Sequence, residues 1–221
     1  ALLAAPAVMI IKQPDLGSAM MVIFIGGTLS LFAGLRRTTL AVLAVLGSSA
    51  ATGGWFLLRP YQKQRILTFL NPEHDPLGAG YHIIQSKIAV GSGGFWGSGF
   101  MQGTQSQLSF LPERHTDFAF SVFAEEWGFT GSLILLGLYL FLIIWGIYIA
   151  RRASDMFGMM LALGLTALIF WHIVGNRGMV IGLLPVVGVP LPLFSYGGTS
   201  MVTTMIGTGL LLNISMRRFM F

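Results

Sequence analysis

The residues best suited to chemistry lie in a short polar stretch that begins at Pro112. If residues 112–126 form a helix, the polar side chains share one sector: Glu113, Arg114, Asp117, Ser121 and Glu125. Asp117 then lies between an acidic and a basic neighbour, which suits an acid/base carboxylate with a cationic partner. A solvated helix face with paired charges explains the same spacing, so the pattern alone leaves both interpretations open.

Other polar residues also have a structural interpretation beside a functional one. Asp15 can cap the helix that follows it, and capping alone accounts for an aspartate there. Lys87 can bind a phosphate or pair with a lipid headgroup. Three of the four histidines show no metal-ligand spacing between them, and we interpret them as structural: His82, His115 and His172. We therefore expect no metal site built from side chains alone.

Two segments have compositions that disfavour regular structure. Residues 91–103 contain six glycines, with aromatic residues between them at Phe95, Trp96 and Phe100. The glycine spacing matches no dinucleotide-binding or phosphate-binding motif. These aromatic rings suit either the membrane interface or sugar stacking. Residues 184–196 contain three prolines in an apolar run, and broken backbone at membrane depth must be buried in protein or line a cavity.

The elements that position these residues are predicted to be membrane helices. Of the 221 residues, 54% are hydrophobic and only 10% are charged, against about a quarter charged in a soluble domain. This composition excludes a disordered chain and argues against an ordinary cytosolic enzyme. Many basic residues occur in pairs at the ends of uncharged runs, so the net charge of +5 does not indicate nucleic-acid binding. The absence of cysteine excludes disulfides and a thiolate nucleophile.

Uncharged runs of about 20 residues predict the membrane spans. We predict an all-α polytopic bundle and a single membrane domain over residues 1–221. Its predicted parts are a partial span at 1–12, complete spans at 17–35, 38–58, 127–150, 156–175 and 197–216, and a long loop with short helices at 59–126. The partial first span predicts that the chain is the C-terminal part of a longer protein.

The arginine pairs predict the orientation of these spans. They follow three of the uncharged runs, at 36–37, 151–152 and 217–218, and the positive-inside rule places such pairs in the cytoplasm. Seven of the eight acidic residues then face outward, and only Asp155 faces inward. The outer loops are therefore the predicted working surface.

Short motifs along the whole chain resemble one family of membrane proteins. They are QPDLG at 13–17, DPLGAGYH at 75–82, QGTQSQL at 102–108, LPERHTDF at 111–118, AEEWG at 124–128, LPVVGVPLP at 184–192 and SYGG at 195–198. Together they resemble the SEDS family (shape, elongation, division and sporulation), and QGTQSQ favours its elongation branch over its division branch.

The resemblance implies a ten-helix bundle, of which this chain holds the end of helix 5 through helix 10. It implies a peptidoglycan glycosyltransferase that polymerises lipid II at the outer face of the plasma membrane during cell elongation and rod-shape maintenance. Asp117 matches the essential aspartate of the family, and Asp15 matches a second implicated aspartate. The other candidate substrate-binding residues are Lys87, Gln105, Arg114, Glu125 and Ser195. Arg177 stands where the family pattern has an apolar residue.

The implied reaction inverts the anomeric centre, because lipid II carries an α-linked pyrophosphate and the glycan is β-1,4-linked. Such a displacement needs a base on the acceptor hydroxyl and charge neutralisation at the leaving group. We expect Asp117 to be the base, with Lys87, Arg114 or a divalent cation such as Mg²⁺ or Mn²⁺ at the pyrophosphate. The partners implied are lipid II, a class B penicillin-binding protein, elongasome proteins such as MreC and membrane lipid.

Two alternatives share the same membrane architecture. A lipid II flippase would place its polar groups near the bilayer midplane, whereas the five predicted spans contain no Asp, Glu, Lys or Arg. A non-catalytic scaffold for a class B penicillin-binding protein explains the long loop but not the outward carboxylates. The charge distribution therefore favours chemistry at the outer surface.

Overall fold

The protein is a bundle of helices. The computed structural model describes residues 15–34, 60–72, 78–107 and 115–217, together with scattered positions among the first 53 residues. Within these ranges lie seven helices and no strand: α1 (Leu16–Phe32), α2 (Pro60–Leu70), α3 (Ala79–Ser92), α4 (Thr104–Gln107), α5 (Ala119–Arg151), α6 (Met156–Val180) and α7 (Gly198–Arg217). Three of them, α5, α6 and α7, are long and apolar enough to cross a membrane. The predicted all-α membrane architecture is confirmed.

The predicted spans fall on these helices to different extents. The runs 127–150, 156–175 and 197–216 coincide with α5, α6 and α7, and the run 17–35 overlaps the shorter apolar helix α1. The partial span at 1–12 and the span at 38–58 fall largely outside the described residues. Of the 33 residues of α5, those after Gly128 alone are enough, at about 1.5 Å per residue, to cross a hydrocarbon core of about 30 Å.

A kink at Gly128 (φ 64°, ψ −161°) divides α5 near its N-terminal end. Four backbone hydrogen bonds join this kink to the glycine-rich loop 93–99: Ser98 N to Glu125 O (2.9 Å), Gly99 N to Glu126 O (3.1 Å), Phe129 N to Gly94 O (2.8 Å) and Thr130 N to Phe95 O (3.2 Å). In an unbroken helix, the carbonyls of Glu125 and Glu126 would accept from the amides of Phe129 and Thr130. The loop therefore supplies the hydrogen bonds that the kink removes.

Buried hydroxyl groups join α3, α5 and α6 beside an apolar core. Ser86 Oγ lies 2.8 Å from Ser121 Oγ and donates to the carbonyl oxygen of Val180 (2.7 Å). The neighbouring core cluster consists of Phe118, Phe120, Ala124, Tyr139, Ile169, Ile173, Val180 and Leu191. Because each buried hydroxyl has a partner, the polar contacts cost little and fix how the three helices meet.

The first helix packs along α6. Phe24 and Trp171 stack with ring centroids 4.6 Å apart, and Trp171 Nε1 donates to Thr28 Oγ1 at 2.9 Å. A Cβ on Gly175 would lie 2.5 Å from the terminal methyl of Met21, so the two helices approach closely. This contact holds the N-terminus of α1 beside the proline-containing segment that follows α6.

Candidate functional site

Asp117 lies in a turn and not in the helix predicted over 112–126. Residues 115–118 form this turn, α5 begins at Ala119, and residues 108–114 lie outside the described part. The helix prediction is wrong at this end because two carbonyls of the turn, those of His115 and Asp117, accept hydrogen bonds from other segments. The carbonyl oxygen of His115 accepts from the Tyr196 amide (2.8 Å), and Phe118 is only 3% exposed in the core.

The carboxyl group of Asp117 is partly buried and lies against the backbone of Gly188. A Cβ built on Gly188 would lie 3.3 Å from Asp117 Oδ2. The backbone carbonyl of Asp117 accepts a hydrogen bond of 2.8 Å from Asn176 Nδ2 on α6. Asn176 thus fixes the backbone of Asp117, while the carboxylate of Asp117 faces the segment that follows α6.

Asp15 caps α1, as predicted. Its Oδ1 accepts from the backbone amide of Ser18 (3.0 Å) and its Oδ2 accepts from the Ser18 hydroxyl (2.6 Å). The side chain is exposed. Just inside the helix, Gly17 lies so close to the Val187 carbonyl that a Cβ there would collide with it. The start of α1 therefore approaches Val187, next to the glycine that lies near Asp117.

Glu125 and Gln105 come together, but away from solvent. Glu125 is 0% exposed, and its Oε1 accepts from the backbone amide of Gln105 (2.9 Å) and from the hydroxyl of Thr104 (3.3 Å). The interpretation of a solvated helix face is therefore wrong for Glu125 and for Ser121, which is also 0% exposed. Both side chains dock other segments onto α5, so their polar groups point into the protein.

Lys87 lies in α3, and Ser195 lies in the segment before α7. The exposed Lys87 side chain crosses Gly182, where a Cβ would lie 2.6 Å from its Nζ. This places a cation beside the C-terminus of α6, which a positive charge stabilises. Ser195 is 5% exposed, and its Oγ accepts from the backbone amide of Leu191 (2.9 Å). Neither of these contacts involves Asp117.

Arg114 is the last of the candidate residues, and Arg177 is the arginine that departs from the family pattern. Arg114 lies outside the described residues. The guanidinium of Arg177 stacks over the ring of Phe120, with its Cζ 4.3 Å from the centroid, and lies 5.6 Å from the centroid of Tyr139. Its Nε and Nη2 are buried without a hydrogen-bond partner. Cation–π contact with two rings accounts for an arginine at a position where the resemblance predicts an apolar residue.

A cavity of about 670 Å³ lies beside the turn. Its lining includes His115, Phe123, Glu126, Ser195 and Tyr196. It is mostly apolar and opens between the start of α5 and the start of α7. His115, which lines the cavity, is two residues from Asp117 in the sequence, although Asp117 itself does not line the cavity.

The structure adds two residues that the sequence patterns did not single out, Asn176 and Gly188. Asn176 donates to the backbone carbonyl of Asp117, and a Cβ on Gly188 would lie 3.3 Å from the carboxylate. The available signal was a lone amide at the end of an uncharged run, and a glycine between two valines in the proline-rich segment. Among the described residues, no group of three His, Asp or Glu side chains could hold a metal ion.

Comparison with known proteins identifies the family. Residues 1–219 match the family of cell cycle proteins named after FtsW, RodA and SpoVE. The chain belongs to this family. The resemblance drawn from the motifs is therefore confirmed across almost the whole sequence.

Curated FtsW/RodA/SpoVE relatives are named as enzymes. Peptidoglycan glycosyltransferase MrdB of Escherichia coli K12 is 51% identical over 216 residues, which cover 97% of this chain and 58% of MrdB. Peptidoglycan glycosyltransferase RodA of Treponema pallidum is 49% identical over 162 residues, covering 73% of this chain and 37% of that protein. A probable peptidoglycan glycosyltransferase FtsW of Trichlorobacter lovleyi is 41% identical, covering 94% of this chain and 54% of that protein. The chain thus spans little more than half the length of MrdB.

Solved structures of the FtsW/RodA/SpoVE family have the same fold. A structure described as a peptidoglycan synthase complex that coordinates polymerization and crosslinking contains a chain with a TM-score of 0.80 and 34% identity. The match covers 99% of this chain and 60% of that one. The rod shape determining protein RodA of Thermus thermophilus gives a TM-score of 0.64 at 29% identity, covering 99% and 55% of the two chains.

Proposed function

We propose that the complete protein is an inverting peptidoglycan glycosyltransferase that polymerises lipid II into β-1,4-linked glycan during cell elongation. The names of relatives that match 97% of the chain support this activity. The observation that carries the proposal is the partly buried Asp117 carboxylate, which stands on a turn held from two sides. A fixed carboxylate is the group that a base-assisted transfer requires.

Asp117 is the general base in this proposal. It takes the proton from the 4-hydroxyl of the acceptor sugar as that oxygen forms a bond to the anomeric carbon of the donor. The bond from the anomeric carbon to the pyrophosphate breaks on the opposite face, so the configuration inverts. Pyrophosphate leaves readily as an anion, and therefore one base with positive charge at the leaving group is sufficient.

Positive charge at the pyrophosphate comes from Lys87 and Arg114 in this proposal. The Lys87 side chain is exposed and lies against Gly182, just past the end of α6. A divalent cation would neutralise the leaving group in the same way. Mg²⁺ binds through one or two carboxylates together with substrate phosphates, and Asp117 would supply such a carboxylate. Among the described residues, no group of three His, Asp or Glu side chains could form a cage made only of protein ligands.

The proposed location is the plasma membrane, with Asp117 at its outer face. The arginine pairs at the opposite ends of the spans support this orientation by the positive-inside rule. A class B penicillin-binding protein is the proposed crosslinking partner, because a structural neighbour belongs to a complex that couples polymerization with crosslinking. We propose elongasome proteins such as MreC as further partners.

The decisive experiment is glycan polymerisation by the complete protein, purified and supplied with labelled lipid II. We expect long glycan strands that lysozyme-type enzymes digest. Movement of lipid II across vesicle membranes without polymer would instead indicate a flippase. Polymer that forms only when a partner polymerase is present would indicate a scaffold.

A further inference from the structure

We propose that Asn176 is a positioning residue for Asp117. From the last turns of α6, its buried amide ties the turn that carries Asp117 to the segment beneath the carboxylate. This inference rests on the proposed function, because it concerns how the proposed base is held.

The amide of Asn176 joins two remote parts of the chain. Asn176 is 0% exposed. Its Nδ2 donates to the carbonyl oxygen of Asp117 at 2.8 Å and to the carbonyl oxygen of Val189 at 2.7 Å. Both partners are carbonyl oxygens, which only accept, so the NH₂ end of the side chain must face them. One side chain thus uses both of its hydrogens to hold two backbone segments together.

The two segments meet at the carboxylate. Val189 directly follows Gly188, whose backbone lies under Asp117 Oδ2. Gly188 has a φ of 67°, a conformation that glycine adopts readily. By fixing the carbonyl of Asp117 and that of Val189, Asn176 sets the separation between the carboxylate and Gly188. A shift of either segment would move the carboxylate.

The hydrogen bonds that Asn176 donates explain why this position holds an asparagine, whereas packing does not. Asn176 Oδ1 is buried and has no hydrogen-bond partner, and a buried acceptor without a partner is unfavourable. An apolar side chain of similar size would avoid that cost, so the two donated bonds are the feature that requires the amide. A second bond, from the Tyr196 amide to the His115 carbonyl (2.8 Å), holds the start of the same turn. We therefore expect the turn to stay formed without Asn176, while the backbone at Asp117 shifts.

The first test is Asn176→Leu in the complete protein, assayed for polymerisation of labelled lipid II. We expect kcat to fall by about 10-fold to 100-fold while KM changes little, because a misplacement of about 1 Å can cost a factor of this size. Thr166→Val is the matched control on the same helix. It removes a buried hydrogen bond to the carbonyl of Ala162 (2.7 Å) far from the turn, and its kcat should stay normal.

The second test asks whether Asn176 acts through Asp117. In an Asp117→Asn background, Asn176→Leu should lower the residual rate no further, because effects that share one group are not additive. A purely structural role would lower it by the same factor as in the native background, and that result would overturn the inference. Asn176→Ala, which is smaller than the native side chain, is measured alongside in case the leucine variant does not fold.

The inference and the proposed function fail in different ways. If the native complete protein makes no polymer, the proposed function is wrong and this inference falls with it. If the native protein is active and both Asn176 variants keep a normal kcat, the inference alone is wrong. A rise in KM at unchanged kcat would also overturn it, because that would indicate substrate binding.

Discussion

The two candidate aspartates occupy opposite environments at the same edge of the bundle. Asp15 is exposed, and both of its carboxylate oxygens accept hydrogen bonds from Ser18. Asp117 is partly buried, and its backbone is fixed by a side chain from another helix. The carboxylate of Asp15 caps a helix, whereas that of Asp117 belongs to a residue whose backbone is bound by Asn176. The difference favours Asp117 over Asp15 as the proposed base.

Asp117→Asn is the substitution that tests this difference most strongly. Asparagine keeps the size and most hydrogen bonding but cannot accept a proton, so we expect glycan synthesis to fall by about 100-fold or more. The measurement is the rate at saturating lipid II in the complete protein. Expression and membrane insertion should not change, because the residue lies in a turn outside the helices. A near-normal rate would remove Asp117 from the role of base.

Gly188→Ala tests the close approach of Gly188 to the Asp117 carboxylate. The added methyl would lie 3.3 Å from Asp117 Oδ2, so we expect kcat to fall by about 10-fold as the carboxylate moves. Gly34→Ala is the matched control. Gly34 also has a positive φ, of 76°, but nothing lies within 4 Å of its added Cβ. Equal loss of activity in both variants would attribute the effect to backbone strain and not to Asp117.

Glu125→Gln separates Asp117 from the other nearby acid. Glutamine keeps an acceptor for the amide of Gln105, so we expect activity to stay within about threefold of normal. Glu125→Leu removes that acceptor and should lower the stability by about 1–3 kcal/mol. Thermal unfolding in detergent and polymerisation rates measure the two effects. A loss in Glu125→Gln as large as in Asp117→Asn would make Glu125 the base.

Local features of the site could be predicted from the sequence, whereas its remote contacts could not. The cap at Asp15 follows from an aspartate three residues before a serine at the start of an apolar run. The apolar runs likewise predicted α5, α6 and α7, because length and hydropathy are local properties. The amphipathic pattern failed at Ser121 and Glu125, whose partners are Ser86 and the segment at Thr104. Periodicity shows which face is polar but not what covers it.

The contacts of the glycine-rich loop illustrate the same limit. Its composition predicted irregular backbone, but not that the loop bonds into the kink at Gly128. Such pairing joins backbone groups more than twenty residues apart, and backbone groups are the same in every sequence. The bonds from Asn176 to two carbonyls are invisible in the sequence for the same reason.

The smallest expected effect is that of Asp15→Asn, which tests the other aspartate of the comparison. Asparagine caps a helix about as well as aspartate. Asp15→Asn should therefore leave the free energy of unfolding nearly unchanged and keep the polymerisation rate within about twofold of normal. Asp15→Ala loses the bonds to Ser18 and should destabilise α1 by about 1 kcal/mol. Some loss of activity can follow, because the start of α1 abuts Val187, next to the glycine under Asp117. If Asp15→Asn instead lost as much glycan synthesis as Asp117→Asn, the negative charge of Asp15 would be required. Asp15 would then join Asp117 as a contact of the substrate or of a cation.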